Sequence, residues 1–271
     1  MPEAAGILRK MEGRLARPVA YRLPVGDARL PLNEALGRTL RLVATGRILC
    51  IHCGRRSAKS FNQGYCYPCF RSLARCDSCM VRPERCHHAA GTCREPDWAR
   101  DHCLRPHLVY LANTSGPKVG ITREAQVPTR WIDQGAVQAL PLFRARDRHG
   151  SGLVEEVLKQ VVADRTDWRR MLKGPPPALD LAAEAGRVLA ACGEAVAACG
   201  QGGAVEPLRG ARSQEIEYPV QAYPETVTAI DLGKTPRVEA TLQGIKGQYL
   251  ILDRGVLNVR RHAGYEVQVS F

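Results

Sequence analysis

The chain has 271 residues, of which 45% are hydrophobic and 24% charged, and carries a formal net charge of +12. That is enough for one large or two to three small domains with a true core. No run approaches the 18 apolar residues of a membrane-spanning helix and no signal-peptide core opens the chain, so a cytoplasmic protein without membrane contact is expected. Lys and Arg outnumber Asp and Glu by 39 to 27, most of them arginine. This balance favours a nucleic-acid partner, DNA or RNA, because neutralising phosphates releases counterions.

Residues 1–18 read as a basic helix or a leader. From Val19 to Leu49 short apolar runs alternate with Pro and Gly. Thr39–Val43 alternates as a half-buried strand does, and Thr45-Gly46-Arg47 has hairpin-turn chemistry. Residues 1–49 are therefore an N-terminal β segment. Residues 50–106 hold nine of the eleven cysteines. Cys50-x2-Cys53 and Cys66-x2-Cys69 each place two thiols on one tight turn, and two such pairs complete a tetrahedral Zn–S4 site. Gly54 suits the knuckle turn after the first pair. The twenty residues concerned resemble a zinc ribbon. Cys76-x2-Cys79 with Cys93 and Cys103 is expected to hold a second zinc; Cys86, His87 and His102 are rival ligands, and an iron–sulfur cluster is a rival occupant. Few large aliphatic residues are available here, so folding should depend on metal. Ten Lys and Arg stand against five acids in this segment. Phe61, Tyr65, Tyr67 and Phe70, interleaved with them, would serve as base-stacking platforms or as core filler.

Residues 107–174 form the central module. Leu108–Ala112 and Lys118–Thr122 flank a Ser-Gly-Pro turn and read as a β-hairpin, with Gly120 leaving room for close approach. Thr129–Ala136 reads as a short helix presenting Arg130, and Leu140–Arg144 as a third strand. Gly152–Asp164 is a helix whose apolar stripe leaves Glu155 and Glu156 at its edges. Asp167 or Thr166 would cap a helix ending at Leu172. The pairing of Val109-Tyr110 with Lys118-Val119-Gly120, followed by Arg130 and Glu155, resembles the GIY-YIG nuclease superfamily. The second-motif Tyr is here Lys118, Asp133 and Gln134 stand where a His is often found, and Leu108 replaces a Gly. The resemblance implies that Tyr110 activates the nucleophile, Arg130 stabilises the pentavalent phosphate, Glu155 holds Mg2+ or Mn2+, and Lys118 contacts phosphate or lowers the pKa of Tyr110. The residues themselves also admit plainer roles: Tyr110 as a core aromatic, Glu155 paired with Lys159, and Arg130 as a surface ion-pair partner. Together with the cysteine segment, the stretches KVGIT, TRWIDQGA and DWRRMLK also resemble an uncharacterised bacterial family of unknown function.

Gly174-Pro175-Pro176-Pro177 breaks the chain. Residues 175–203 form an Ala-rich helical connector ending in a Gly200–Gly203 hinge. In 204–271 six strand-like runs begin at Ile216, Thr226, Arg237, Gln248, Val256 and Tyr265, with turns at Asp253-Arg254-Gly255 and Lys234-Thr235-Pro236. They predict a barrel-like part completed by the N-terminal strands. Lys246–Tyr249 and Asn258–His262 would touch nucleic acid. The fold class is α+β, with a zinc-ribbon-like segment, a small GIY-YIG-like β/α module and this β-rich part. The expected function is a zinc-containing phosphodiesterase acting on DNA or RNA. The alternatives are a non-catalytic nucleic-acid-binding protein and a thiol redox or sulfur-handling protein.

Overall fold

In the computed structural model, which describes residues 3–200 and 204–271, the alternating Thr39–Val43 run belongs to a ten-residue strand, β5 (Thr39–Ile48), with Leu40 and Leu42 buried. Thr45-Gly46-Arg47 does not form a hairpin. Gly46 has a positive φ of +82°, and these residues lie where the pairing of β5 with β15 (Tyr265–Ser270) changes register. Pairing with β15 absorbs the turn chemistry as a bulge.

β5 sits inside a seven-stranded sheet of order β1-β15-β5-β12-β13-β14-β11. The other members are β1 (Glu3–Ile7), β11 (Ala229–Ile230), β12 (Arg237–Lys246), β13 (Tyr249–Leu252) and β14 (Gly255–Asn258). The N-terminal strands thus pair with the C-terminal ones, β1 on β15 and β5 on β12. A helix or leader at residues 1–18 is corrected to strand: β15 offers an edge, and tertiary pairing overrides local preference. Met1 and Pro2 lie outside the described residues. The expected barrel is also corrected, because no sheet closes on itself among the described residues. β11 is only two residues long and joins β14 in parallel. The Ile216–Tyr223 run, interrupted by Pro219, supplies only the bridge from Val220 to Gly244. A three-stranded sheet of β2 (Glu12–Arg14), β3 (Ala20–Val25) and β4 (Ala28–Pro31) shares the large sheet's core, placing Tyr21, Leu23 and Leu30 with Leu40, Leu250 and Val267.

The central sheet has the order β10-β8-β6-β7, with β9 on β8. Its strands are β6 (His107–Asn113), β7 (Pro117–Arg123), β8 (Gln138–Ala145), β9 (Val205–Pro207) and β10 (Gln214–Glu215). Every residue of β6 is buried. Val109 and Leu111 face a core shared with α4 (Arg148–Leu158) and α6 (Leu181–Cys199), whereas Tyr110 and Ala112 join the core of the large sheet. α4 starts four residues earlier than expected, because the Asp147 side chain accepts a hydrogen bond from the Gly150 N–H at 2.8 Å. It ends earlier too: the Val119 N–H donates to the Ala163 carbonyl at 2.8 Å, drawing the chain onto the edge of β7. α5 (Trp168–Lys173) is capped by Asp167. Gly200 ends α6, and the rest of the expected hinge, 201–203, lies outside the described residues. No helix among the described residues is long and apolar enough to cross a membrane.

The cysteine segment contains little regular structure beyond α1 (Tyr67–Ser72) and α2 (Pro96–His102). It is pressed against α4. A Cβ placed on Gly152 would stand 2.6 Å from Pro83 side-chain carbons and 2.9 Å from the Glu84 nitrogen. Gly152→Ala is expected to lower stability by about 1–3 kcal/mol, the usual range for overpacking. A thermal melt indistinguishable from the parent would show that this contact yields freely.

Candidate functional site

β7 is an edge strand, and Lys118 through Arg123 all line one cleft of about 1490 Å³. This is larger than the usual small-molecule pocket. α4 contributes Arg148, Glu155 and Glu156, and α3 (Thr129–Asp133) with its C-terminal neighbour contributes Arg130 and Gln134. Fourteen lysines and arginines line the cleft against six carboxylates. Several cations are paired, including Arg94 with Asp77 at 2.8 Å and Lys159 with Glu156 at 2.6 Å. The remaining excess still sets a positive field that draws anions in.

The structure brings together three of the four residues expected to act on phosphate: Lys118, Arg130 and Glu155. Tyr110 lies beneath them, fully buried. It stands opposite Gly120 in the β6–β7 ladder. A Cβ on Gly120 would be 2.8 Å from the Tyr110 hydroxyl, so the missing side chain admits the Tyr110 ring and not a ligand. With its amide oxygen turned toward Arg130, Gln134 accepts from Arg130 Nε at 3.0 Å and Nη2 at 2.9 Å, and donates to Tyr110 Oη at 2.9 Å. Tyr110 thus supports the bracket that holds Arg130. Burial raises its pKa above the ordinary phenol value, with Arg130 acting in the opposite direction. The expectation that Lys118 lowers it is corrected, since Arg130 is the principal opposing charge.

Burial, helped by Arg130, brings the Lys118 ammonium down to about 8, against the pull of Glu155 and Asp164. Burial pushes the Glu155 carboxyl up, with Lys159, Arg148 and Lys118 opposing. Lys159 is nearer to Glu156 than to Glu155, at 2.6 Å against 3.9 Å. Glu155 is therefore the freer carboxylate of the pair. Arg148 was legible as a basic residue but not as a neighbour of Glu155. The signal was its position seven residues, two helical turns, before Glu155, which puts both on one face of α4. His149 is an exposed residue of α4.

Several residues of the two expected contact regions, Lys246–Tyr249 and Asn258–His262, have structural roles. Lys246 is fully buried, and its ammonium donates to the Met171 carbonyl at 2.9 Å and the Gly174 carbonyl at 3.2 Å, closing the end of α5. Gln248 bonds both backbone groups of Met11 and donates to Asp133. His262 is buried against the Asn258 carbonyl and the Leu232 N–H. Of these two stretches only Arg260 reaches the cleft.

The four thiols of Cys50, Cys53, Cys66 and Cys69 lie within 4.8 Å of one another, with Cys53 and Cys66 Sγ 3.7 Å apart. A tetrahedron of Zn–S bonds has edges of about 3.8 Å. Gly54, at φ +73°, donates its N–H to the Cys50 carbonyl at 2.9 Å and forms the knuckle. Cys66 starts α1, which carries Cys69 inward. Burial raises the Cys50 thiol, but the N–H groups of Cys53, Cys66 and His52 overcome this and bring it to about 6. Burial and the neighbouring thiols push Cys69 far up. Four thiolates can share this space only around a cation, and the donor set fits one zinc ion. Phe61, Tyr67 and Phe70 pack on one another beside it, with centroids 5.4–6.5 Å apart. Tyr67 is exposed and Phe61 and Phe70 are half-buried, so the three make a surface cluster, while Phe70 and Tyr65 also line the cleft. A weaker group, Asp77, Cys79 and His87, lies nearby.

A family described as "Protein of unknown function (DUF2797)" matches residues 37–267. The chain belongs to this family. No curated protein and no solved structure matches it. The DUF2797 match covers the four-cysteine cluster and the whole cleft wall from β7 to α4, so both are features of the matched region. It carries no evidence for a GIY-YIG module.

Proposed function

We propose that this DUF2797 protein binds nucleic acid along the β7 edge and hydrolyses phosphodiester bonds there with a divalent cation. One observation carries the reading: Lys118, Arg130 and Glu155, from three separate elements, line a single arginine-rich cleft. Arg130, held by Gln134, offers a fixed fork to a phosphate. Glu155 is the carboxylate for Mg2+ or Mn2+, which keeps most of its waters. The cation would polarise the phosphoryl oxygen and supply the attacking water. Zinc at the four-cysteine cluster is structural in this reading. The likeness of the two strands, Arg130 and Glu155 to GIY-YIG nucleases supports the same assignment.

The test is incubation with labelled single- and double-stranded DNA and RNA in Mg2+ or Mn2+. Cleavage lost in Arg130→Ala and Glu155→Gln is the expected result. A second reading, binding without cleavage, is favoured by the burial and raised pKa of Tyr110, a poor setting for a nucleophile activator. Retention of all four substrates with no cutting would select it. Failure to bind any of them would sink both.

Binding should also depend on pH. Lys118 is charged below about 8 and loses its charge above it, so oligonucleotide affinity should fall between roughly pH 7 and pH 9. An ordinary exposed lysine, with a pKa of about 10.4, would give little change there. Lys118→Arg should flatten the slope. An equally steep profile in that variant would remove Lys118 from the explanation.

A further inference from the structure

We infer that Cys79, Cys86, Cys93 and Cys103 hold a second, single metal ion of the zinc class in the small cavity beneath α2. The cavity measures about 10 Å³ and all four cysteines line it. That volume is close to the least a single water molecule needs. A space of that size suits one ion. All four are free cysteines; no three of their thiols lie within 4.8 Å of one another, unlike those of the first site, so an ion would have to draw them in.

The ligand set differs from the one expected from spacing. Cys76 is buried with Cys50, Cys66, Cys69 and Leu73 and is not among the residues lining this cavity. The intervening Asp77 and Ser78 start a new turn, which sends Cys76 and Cys79 to different centres. The other candidates are already engaged. Asp77 accepts from Arg94 Nε at 2.8 Å and from the Ser78 N–H at 2.6 Å. His87 has its Nδ1 on Thr92 Oγ1 at 2.8 Å and its Nε2 3.3 Å from Asp77. Their ligand atoms come within 4.8 Å of the Cys79 thiol, and these hydrogen bonds hold them as supporting partners of that cysteine. His102 stacks on Trp98 at 4.1 Å and bonds its carbonyl.

Charge supports the same assignment. Four thiolates around a divalent cation leave a net charge of about −2. Arg148 donates its backbone N–H to the Cys103 carbonyl at 2.7 Å and Nη2 to the Met80 carbonyl at 2.7 Å, while its buried Nε has no partner. An anionic centre beside Cys103 and Cys79 accounts for a guanidinium kept there.

The test is metal analysis of the full chain. The parent should carry two zinc ions, and Cys86→Ser and Cys93→Ser should each carry one, whereas Cys76→Ser should keep two. Loss of one ion from Cys76→Ser, retention of two by both other variants, or iron with acid-labile sulfide in the parent would overturn the assignment. Should a variant prove insoluble, Co2+ titration of the metal-free parent decides. Thiolate-to-metal absorption growing to two equivalents, with a tetrahedral four-sulfur spectrum throughout, is expected. A break at one equivalent would refute the second centre.

Discussion

Stripping metal from the protein with a chelator is expected to unfold residues 50–106 and to lower the stability of everything packed on them. The reason is the poverty of this segment's core. The cluster around the first site consists of four cysteines and Leu73, with Tyr65 and Phe70 only partly buried against it. Without a cation, the four thiols of that site repel as they ionise or remain protonated and unbonded. Structural zinc in small modules supplies on the order of 10–16 kcal/mol, comparable to or larger than the whole net stability of a typical domain, about 5–15 kcal/mol. Amide exchange should lose protection from Ile51 to Leu73 on chelation and regain it on adding Zn2+. Cys66→Ser should behave like the chelated protein at this site. Full protection in a preparation shown to be metal-free would refute a structural metal.

Arg130→Ala is expected to give the largest functional loss with the smallest structural cost. Its guanidinium is held on one side by Gln134 and borders the cleft on the other. Removing one preorganised donor from a reacting phosphate costs about 10²–10³ in rate, on the order of 3–4 kcal/mol. Arg130→Lys should recover little, because a lysine cannot span the two contacts to Gln134. The melting temperature should stay near that of the parent, which separates this loss from misfolding. Gln134→Leu should copy the defect more weakly by releasing the fork. If Arg130→Ala binds and cuts as the parent does, Arg130 is a surface residue and the cleft reading fails.

Much of this architecture was legible where spacing and periodicity are strong. The paired C-x2-C turns prescribe a four-thiol centre whatever surrounds them. The β6–β7 hairpin and the Glu155 helix follow from alternation and from the 3.6-residue repeat. The partition of the later cysteines was not legible, because Cys76-x2-Cys79 looks like one chelating turn until Asp77 starts a new one. Lys246 and Gln248 look like surface residues in sequence. Their burial is set by α5 and Met11, which lie 75 and 237 positions away in the chain. Likewise, nothing local in Gly120 says whether its space serves a phosphate or the ring of Tyr110. Closure of the large sheet failed to follow from strand count, since Pro219 and the short β11 decide the edges.

The two-sided burial of β6 bears on how the molecule comes apart. Val109 and Leu111 belong to one core and Tyr110 and Ala112 to the other, so neither core can melt without uncovering a wall of its neighbour. Such a shared strand joins what read as separate segments into one cooperative unit. Heating or denaturant should therefore give a single transition for residues 3–49 together with the region that follows His107, with β6 among the last amides to exchange.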